Sequence, residues 1–403
     1  MQEIQKICVI TNGCPENRND GAGIEMFFKE NNYQLTDNFK NADLILFNAC
    51  ALTNVSERLS IRVIKRIQKK KKNNAQLIVF GCLPKINKGV LDGVYQGVTF
   101  GSDETKYLEK VYKKPGHPAN FQSSYLIPFL GISFIDKLRV HYESLFSLFT
   151  LKEFLLKYPD TFNPNTFCIK IASGCMYNCA YCAAKLSRGK IRSRSLKQII
   201  KEFKKGLAEG CRDFALIGTE IGFYGWELNL NLIILLNKLI EFNGNYQIKL
   251  RNFHPGFLID MLPKLKSILK TGKISFISSS FQSGSNKILK SMGRGYNIED
   301  FKYAINDINS QFPKIEVCTQ VMAGFPGETE EDFKASLKVL DELNFDYVEP
   351  FLFQCRPGTP AEKMKGHISK KNAKRRFRQL IFKSITVEKR SKKNRKFTAD
   401  LLW

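Results

Sequence analysis

The chain has 403 residues, of which 43% are hydrophobic and 25% charged. That mix excludes a mainly disordered or collagen-like chain and gives length enough for two or three domains. The richest apolar stretch, Leu228 to Ile240, is too short and too interrupted to span a bilayer. The N-terminus carries an acid, Glu3, and leads straight into a strand pattern, so no membrane contact and no secretory signal are expected, and the default compartment is the cytoplasm. Lys and Arg exceed Asp and Glu by 25, and from Lys363 to Lys396 there are 15 basic residues against one acid, Glu388, which is +14 of that excess. Such a segment fits a polyanionic partner, RNA first; a solvated lysine-rich helix face has the same composition.

The first 112 residues alternate strand and helix patterns. Lys6–Asn12, Asp43–Phe47, Gln76–Phe80 and Gly97–Phe100 read as strands, and Ile24–Asn31 and Ser56–Lys72 as helices. This order implies an open parallel sheet, flavodoxin- or Rossmann-like, with helices on its faces. Cys14, Cys50 and Cys82 each fall just past the end of a strand, within Asn12-Gly13-Cys14-Pro15, Asn48-Ala49-Cys50 and Gly81-Cys82-Leu83-Pro84. Parallel strands end on one edge, where open α/β sheets place their ligands. Three thiols in equivalent topological positions are therefore expected to converge, although 68 residues separate the first from the last.

Residues 113–165 form a connector or insert, punctuated by Pro115, Pro118, Pro128, Pro159 and Pro164, with a helix pattern over Tyr142–Lys157. From residue 166 to 362 strand and helix patterns alternate again. Six strands are expected over Phe167–Ala172, Asp213–Ile217, Gln247–Asn252, Lys273–Phe281, Ile315–Ala323 and Tyr347–Gln354. The fold class is α/β, the second unit a partial (β/α)6 barrel with its site at the C-terminal strand ends. A basic helical tail over 363–403 follows, with Phe377, Leu380, Ile381 and Ile385 on one stripe.

The sharpest motif follows the first barrel strand: Gly174-Cys175-Met176-Tyr177-Asn178-Cys179-Ala180-Tyr181-Cys182, or C-x3-C-x2-C. Three thiolates on one loop can wrap a compact metal centre, and no fourth Cys or His is near in sequence. That fits a [4Fe–4S] cluster with one iron left open; zinc signatures instead pair C-x2-C units.

This motif, with an aromatic before its last cysteine, resembles the radical S-adenosylmethionine (SAM) superfamily. The resemblance implies that the open iron binds the amino and carboxylate groups of SAM, whose cleavage yields a 5′-deoxyadenosyl radical that removes hydrogen from an unactivated carbon. Further blocks resemble the methylthiotransferases within it: Asn12-Gly13-Cys14 with Asn17 and Asp20, Ser187–Arg194, Phe281–Ser285, Gly324–Thr329 and Arg356–Pro360. They span about 6–105 and 166–362 in the family's order.

The resemblance implies that Cys175, Cys179 and Cys182 hold the radical cluster. Cys14, Cys50 and Cys82 would hold an auxiliary [4Fe–4S] cluster that delivers sulfur, while a second SAM supplies the methyl group. Tyr181, Gly218, Thr219, Glu220, Arg251, Gln282, Ser283, Gly324 and Phe325 are the implied SAM contacts. At Thr219-Glu220 the family more often has Gln-Asn, and a solvated loop carboxylate is the other reading of Glu220. Arg188, Arg192 and Arg194 are candidates for SAM carboxylate, substrate phosphate or cluster charge, with surface ion pairs as the alternative. Cys8, Cys168, Cys211, Cys318 and Cys355 read as core, and His254 as structural.

The family's partners are a reductase-type electron donor and, as known substrates, adenosines of the tRNA anticodon loop or an aspartate of a ribosomal protein. The family ordinarily continues into a small β-barrel, the TRAM domain. Here the basic helix pattern runs on to Trp403, and no such barrel is expected. Three outcomes are then open: the basic tail substitutes on tRNA, the substrate is a peptide or protein side chain, or a partner presents it. A peptide product carrying a thioether or ring without methyl transfer, and a non-catalytic iron–sulfur RNA-binding protein, are the competing functions.

Overall fold

The computed structural model describes residues 5–116, 125–126 and 166–391. The expected Tyr142–Lys157 helix lies outside them. Two parallel sheets carry the described chain.

The first sheet uses β1 (Lys6–Thr11), β2 (Gln34–Leu35), β3 (Leu44–Ala49), β4 (Gln76–Gly81) and β5 (Val98–Phe100), in the order 2-1-3-4-5. Its helices are α1 (Pro15–Glu30), α2 (Asn54–Lys70), the short α3 (Leu83–Ile86) and α4 (Lys88–Asp92), and α5 (Lys106–Tyr112). Every residue of β3 is buried, because both faces are covered. Leu44 and Leu46 point one way, into a cluster with Ile24, Phe27 and Phe28 of α1. Ile45 and Phe47 point the other way, onto Ile64 and Ile67 of α2. That is the period-2 alternation of a strand buried on both sides. The order 2-1-3-4-5 reverses between β1 and β3, the switch point where doubly wound sheets bind ligands.

Helix α1 begins directly after Cys14 with Pro15 at its first position, well before the Ile24 start expected from apolar spacing. The first turns lack an apolar stripe because their buried face is polar: Glu16, Asn17, Asn19 and Asp20 are all buried.

The second sheet orders β14-β13-β12-β11-β10-β7-β6. Strand β6 (Tyr125–Leu126) is an antiparallel edge on β7 (Phe167–Lys170). The other five are β10 (Asp213–Ile217), β11 (Gln247–Leu250), β12 (Ile274–Ser278), β13 (Glu316–Ala323) and β14 (Tyr347–Leu352), so six parallel strands stand where six were expected. A two-stranded ribbon, β8 (Ala172–Ser173) with β9 (Arg192–Ser193), closes over the loop that contains the three cysteines. The helices are α6 (Ala184–Arg188), α7 (Leu196–Ala208), α8 (Leu232–Ile240), α9 (Pro255–Leu269), α10 (Asn286–Ser291), α11 (Ile298–Gln311), α12 (Glu330–Glu342) and α13 (Lys370–Arg390). Aliphatic and aromatic residues from the strands and covering helices make one core. The basic helix α13 is docked: Leu380, Ile381 and Val387 are buried, and Glu388 accepts from Val348 N of β14 at 2.9 Å.

Candidate functional site

The loops that carry Cys14, Cys50 and Cys82 come together at one edge of the first sheet. Strands β1, β3 and β4 are parallel and in register, so the loops after them share one edge. Gly13 adopts φ +104°, and a Cβ added there would stand 2.8 Å from Cys50 Cβ and 3.0 Å from its Sγ. Glycine is what lets the Cys14 loop lie against Cys50. Cys82 Sγ donates to Asn17 Oδ1 at 3.4 Å. Burial is the main influence on Cys14 and Cys82, raising them to about 11 and about 12, opposed by the nearby Arg188 guanidinium; Cys50 lies within electrostatic reach of both.

The second triad sits on the loop after β7 and β8. Gly174 has φ +86°, and an added Cβ would overlap the Lys190 carbonyl, so the ribbon presses directly on the start of the cysteine loop. Burial pushes Cys175 up to about 12, with Cys179 and Cys182 close enough to add to it. Both sets have the same chemistry: three thiols, buried or half-buried, in mutual electrostatic contact. Burial raises Cys14, Cys82, Cys175 and Cys182, so as free thiols these four hold their protons, which a metal must displace. Among the described residues no three Cys, His, Asp or Glu side chains are gathered around a single-ion site. A [4Fe–4S] cubane takes each thiolate on a different iron rather than around one ion.

Most of the implied SAM contacts lie in the loops that follow the strands of the second sheet. Tyr181 packs edge-on to Phe325, with ring centroids 6.5 Å apart, and both join Ala180, Ile288, Met292 and Met322 in one apolar cluster. Gly324, at φ +88°, donates its N–H to Glu328 Oε2 at 2.9 Å. Gln282 holds φ +64°, uncommon for a side chain with a Cβ. Its N–H donates to Gln320 O and its carbonyl accepts from Met322 N, both at 2.9 Å, while its buried Oε1 has no partner. Ser283 is buried beside it and accepts from Ser285 N at 3.2 Å. Gly218 O accepts from Asn252 Nδ2 at 2.8 Å. Arg251 follows β11 directly, and its charge is within electrostatic reach of Cys168 and Cys318.

Glu220 is not a solvated carboxylate. It is buried and accepts from Gly222 N at 2.9 Å and His254 N at 3.0 Å. Burial lifts it to about 7. Thr219 is tied down as well: its Oγ1 accepts from Gly174 N at 3.0 Å and donates to the Glu16 carboxylate at 3.1 Å.

The arginines after the motif are taken by protein partners. Arg188 is 3% exposed and ion-paired to Asp20, with a second bond to Asn17 Oδ1. Arg194 pairs with Glu202 and donates to Lys170 O at 2.9 Å. Arg192, more exposed, reaches Asp103 at 3.4 Å. These are contacts across the fold that residue spacing does not reveal. Cys8, Cys168, Cys211 and Cys318 are buried as expected, but Cys355 is exposed in the loop after β14.

Two residues gain importance here. Arg294, in the turn after α10, is buried and donates to Cys179 Sγ at 3.6 Å, Tyr181 OH at 3.3 Å and Ser280 O at 2.6 Å. A permanent cation beside a motif thiol and the aromatic near it offsets anionic charge at that place. Its signal in sequence, Gly293-Arg294-Gly295 between two helices, has no ligand-like form. His254 stacks on Tyr177 at 3.9 Å and accepts from Gly256 N with Nδ1 at 3.1 Å. Burial and Arg294 together pull it down to about 2, so it stays neutral.

A six-strand parallel sheet with C-x3-C-x2-C at the end of its first strand defines a radical SAM enzyme, and the model of the radical SAM superfamily matches residues 169–340. Residues 6–100 match a second model, uncharacterized protein family UPF0004. The chain belongs to the radical SAM methylthiotransferase family. It is 31% identical over 391 residues to the tRNA-2-methylthio-N(6)-dimethylallyladenosine synthase of Aquifex aeolicus, covering 94% of this chain and 82% of that one. It is 27% identical over 362 residues to a probable threonylcarbamoyladenosine tRNA methylthiotransferase of Pyrococcus horikoshii, covering 89% and 79%. Among solved structures, the radical SAM methyltransferase TsrM of Kitasatospora setae superposes with a TM-score of 0.59 at 13% identity over 89% of this chain and 75% of that one, a likeness of fold. Membership makes the protein a methylthiotransferase that uses SAM and a [4Fe–4S] cluster. No described helix is long and apolar enough to cross a membrane.

Proposed function

We propose that this enzyme inserts sulfur as a methylthio group at an unactivated C–H carbon of a tRNA adenosine. Residues 1–112 carry an auxiliary [4Fe–4S] cluster on Cys14, Cys50 and Cys82. Residues 166–362 carry the radical cluster on Cys175, Cys179 and Cys182. When bound, the two clusters and SAM supply the electron, the radical, the sulfur and the methyl group. The observation that carries this reading is the meeting of the Cys14, Cys50 and Cys82 loops at one sheet edge, with the helix that starts at Cys14 bonded to the base of the other cysteine loop.

The protein's own groups bind and orient. Tyr181 and Phe325 offer an apolar wall for the adenine. Backbone at Gly218, Gln282, Ser283 and Gly324 lines the strand ends, with the free Oε1 of Gln282 as an acceptor. Glu220, near neutral pH, is placed to accept from the SAM ammonium. Arg294 keeps the charge beside Cys179 balanced, and the apolar cluster around Tyr181 excludes water. An external reductase-type donor and a cytoplasmic setting complete the reading. The tRNA assignment is supported by the two relatives named above, both named for tRNA modification.

The test is anaerobic. The reconstituted, reduced enzyme is given methyl-labelled SAM with bulk tRNA or with a cell-peptide pool, and products are analysed by mass spectrometry. Labelled methylthioadenosine in tRNA is expected. Sulfur on peptides alone would overturn the assignment.

A further inference from the structure

Two basic helices begin at the same rim of the second sheet. Strands β13 and β14 are parallel neighbours. After β14, Gln354 Oε1 accepts from Asn54 N, at the start of α2, at 2.6 Å. Arg356, buried, bonds to Asn54 and Glu57 of the same helix. After β13, Gly327 N donates to Gly366 O at 2.9 Å. Arg376 of α13 donates to Glu328 O at 2.8 Å and its Oε2 at 2.9 Å. Helices α2 and α13 are thus pinned to adjacent strand ends, where the candidate site opens.

Each helix turns cations outward at helical spacing. On α2, Ser60, Ile64 and Ile67 are buried, and Ser60 Oγ donates to Cys50 O at 2.7 Å. Arg58, Lys65 and Lys69 are exposed and lie roughly opposite that stripe at 3.6 residues per turn. The helix's one acid, Glu57, is turned inward onto Arg356. On α13, Lys371, Lys374 and Arg378 are exposed on one side, while Arg375 and Arg376 are already ion-paired to Glu330 and Glu328. A basic face is usually only solvated. Here two such faces start from one opening, and the buried side of one of them holds Cys50.

We propose that the ladders Arg58-Lys65-Lys69 and Lys371-Lys374-Arg378 are the two walls that carry the RNA phosphate backbone on either side of the site. The proposal rests on the tRNA reading above. Phosphates repeat along a strand, and a row of cations at helical spacing neutralises several without reading sequence. The ladders would set affinity and register, and leave base choice to the opening between them.

The experiment measures binding of unmodified bulk tRNA to the cluster-loaded protein over roughly 50 to 300 mM salt, as counterion release requires. Two variants are compared, R58Q/K65Q/K69Q and K371Q/K374Q/R378Q, with R58K/K65R/K69R as the charge-conserving partner. Each glutamine triple is expected to lower the log–log salt slope by about 2 to 3 and to weaken binding by roughly tenfold or more near physiological salt. Iron content and unfolding midpoint should stay at wild-type values, and the charge-conserving triple should bind as wild type. Wild-type affinity and slope in either glutamine triple, with wild-type binding intact, would overturn the two-wall arrangement. Failure of the wild-type protein to hold tRNA at any of these salt concentrations would instead remove the substrate reading on which it rests.

Discussion

Glu16 accepts a hydrogen bond from Ser173 Oγ at 2.7 Å. Glu16 lies two residues after Cys14, and Ser173 two before Cys175, so one bond joins the roots of the two cysteine loops. Thr219 extends the link by donating to the same carboxylate and accepting from Gly174 N. Asp20, one turn along α1, receives Lys170 and Arg188. The first turns of α1 therefore act as a polar spine between the two sheets. If each triad holds a cluster, this spine fixes the distance between them.

The Arg188–Asp20 pair is the strongest part of that spine. Burial opposes both charges, but each partner holds the other ionised: Asp20 stays below the usual carboxylate range and Arg188 well above its ordinary value. Removing one partner of a buried pair leaves a charge without compensation, at a cost of about 3 kcal/mol or more. Lys170 remains beside Asp20 and offsets part of it. R188M should therefore lose about 2 to 3 kcal/mol in urea unfolding, and R188M/D20L should recover much of it. Equal losses in the single and double variants would show that the pair does not couple the sheets.

Asp332 makes a pH prediction. It caps α12, accepting from Thr329 N at 2.9 Å, and also accepts from Ser285 Oγ at 2.7 Å. It thereby ties the Gln282–Ser285 turn to the Gly324 loop. Burial alone would raise it; Lys287 and these bonds overcome that and set it at about 2, below the ordinary 3.8. A depressed carboxylate stabilises the fold fully above its unfolded value and loses that stabilisation as pH falls through the folded one. Urea midpoints should thus drop between about pH 4 and pH 2, and D332N, weaker at pH 7, should show a shallower drop over that window. Parallel pH profiles for the two proteins would contradict this role.

Sequence made the two sheets and the two triads legible because they depend on short-range signals. Apolar runs mark the strands, and the position of Cys14, Cys50 and Cys82 after three of them forecasts one edge. What joins the halves was hidden. Glu16, Asn17 and Asp20 break the apolar period of α1, so the helix looked as if it began near Ile24, when those polar residues are its buried face. The partner of Arg188 stands 168 positions away, and no local pattern announces it. Arg294 was missed because its ring of partners, Cys179, Tyr181 and Ser280, assembles only when the strands do.

Gly174 gives a steric prediction. Its left-handed backbone and the Lys190 carbonyl packed on it leave no place for a methyl group. G174A should displace the cysteine loop, lower the iron bound and lower the unfolding midpoint, with a cost on the order of 2 to 3 kcal/mol for strain and overlap. Wild-type iron content in this variant would mean that the loop has room the structure does not provide.

The most direct measurement is the iron and sulfide content of two triple variants, C14A/C50A/C82A and C175A/C179A/C182A, reconstituted anaerobically beside the wild type. Each triple is expected to bind about half the wild-type iron, and a variant lacking all six cysteines almost none. Full wild-type iron in C14A/C50A/C82A would contradict this, because the edge where Cys14, Cys50 and Cys82 meet would then hold no cluster.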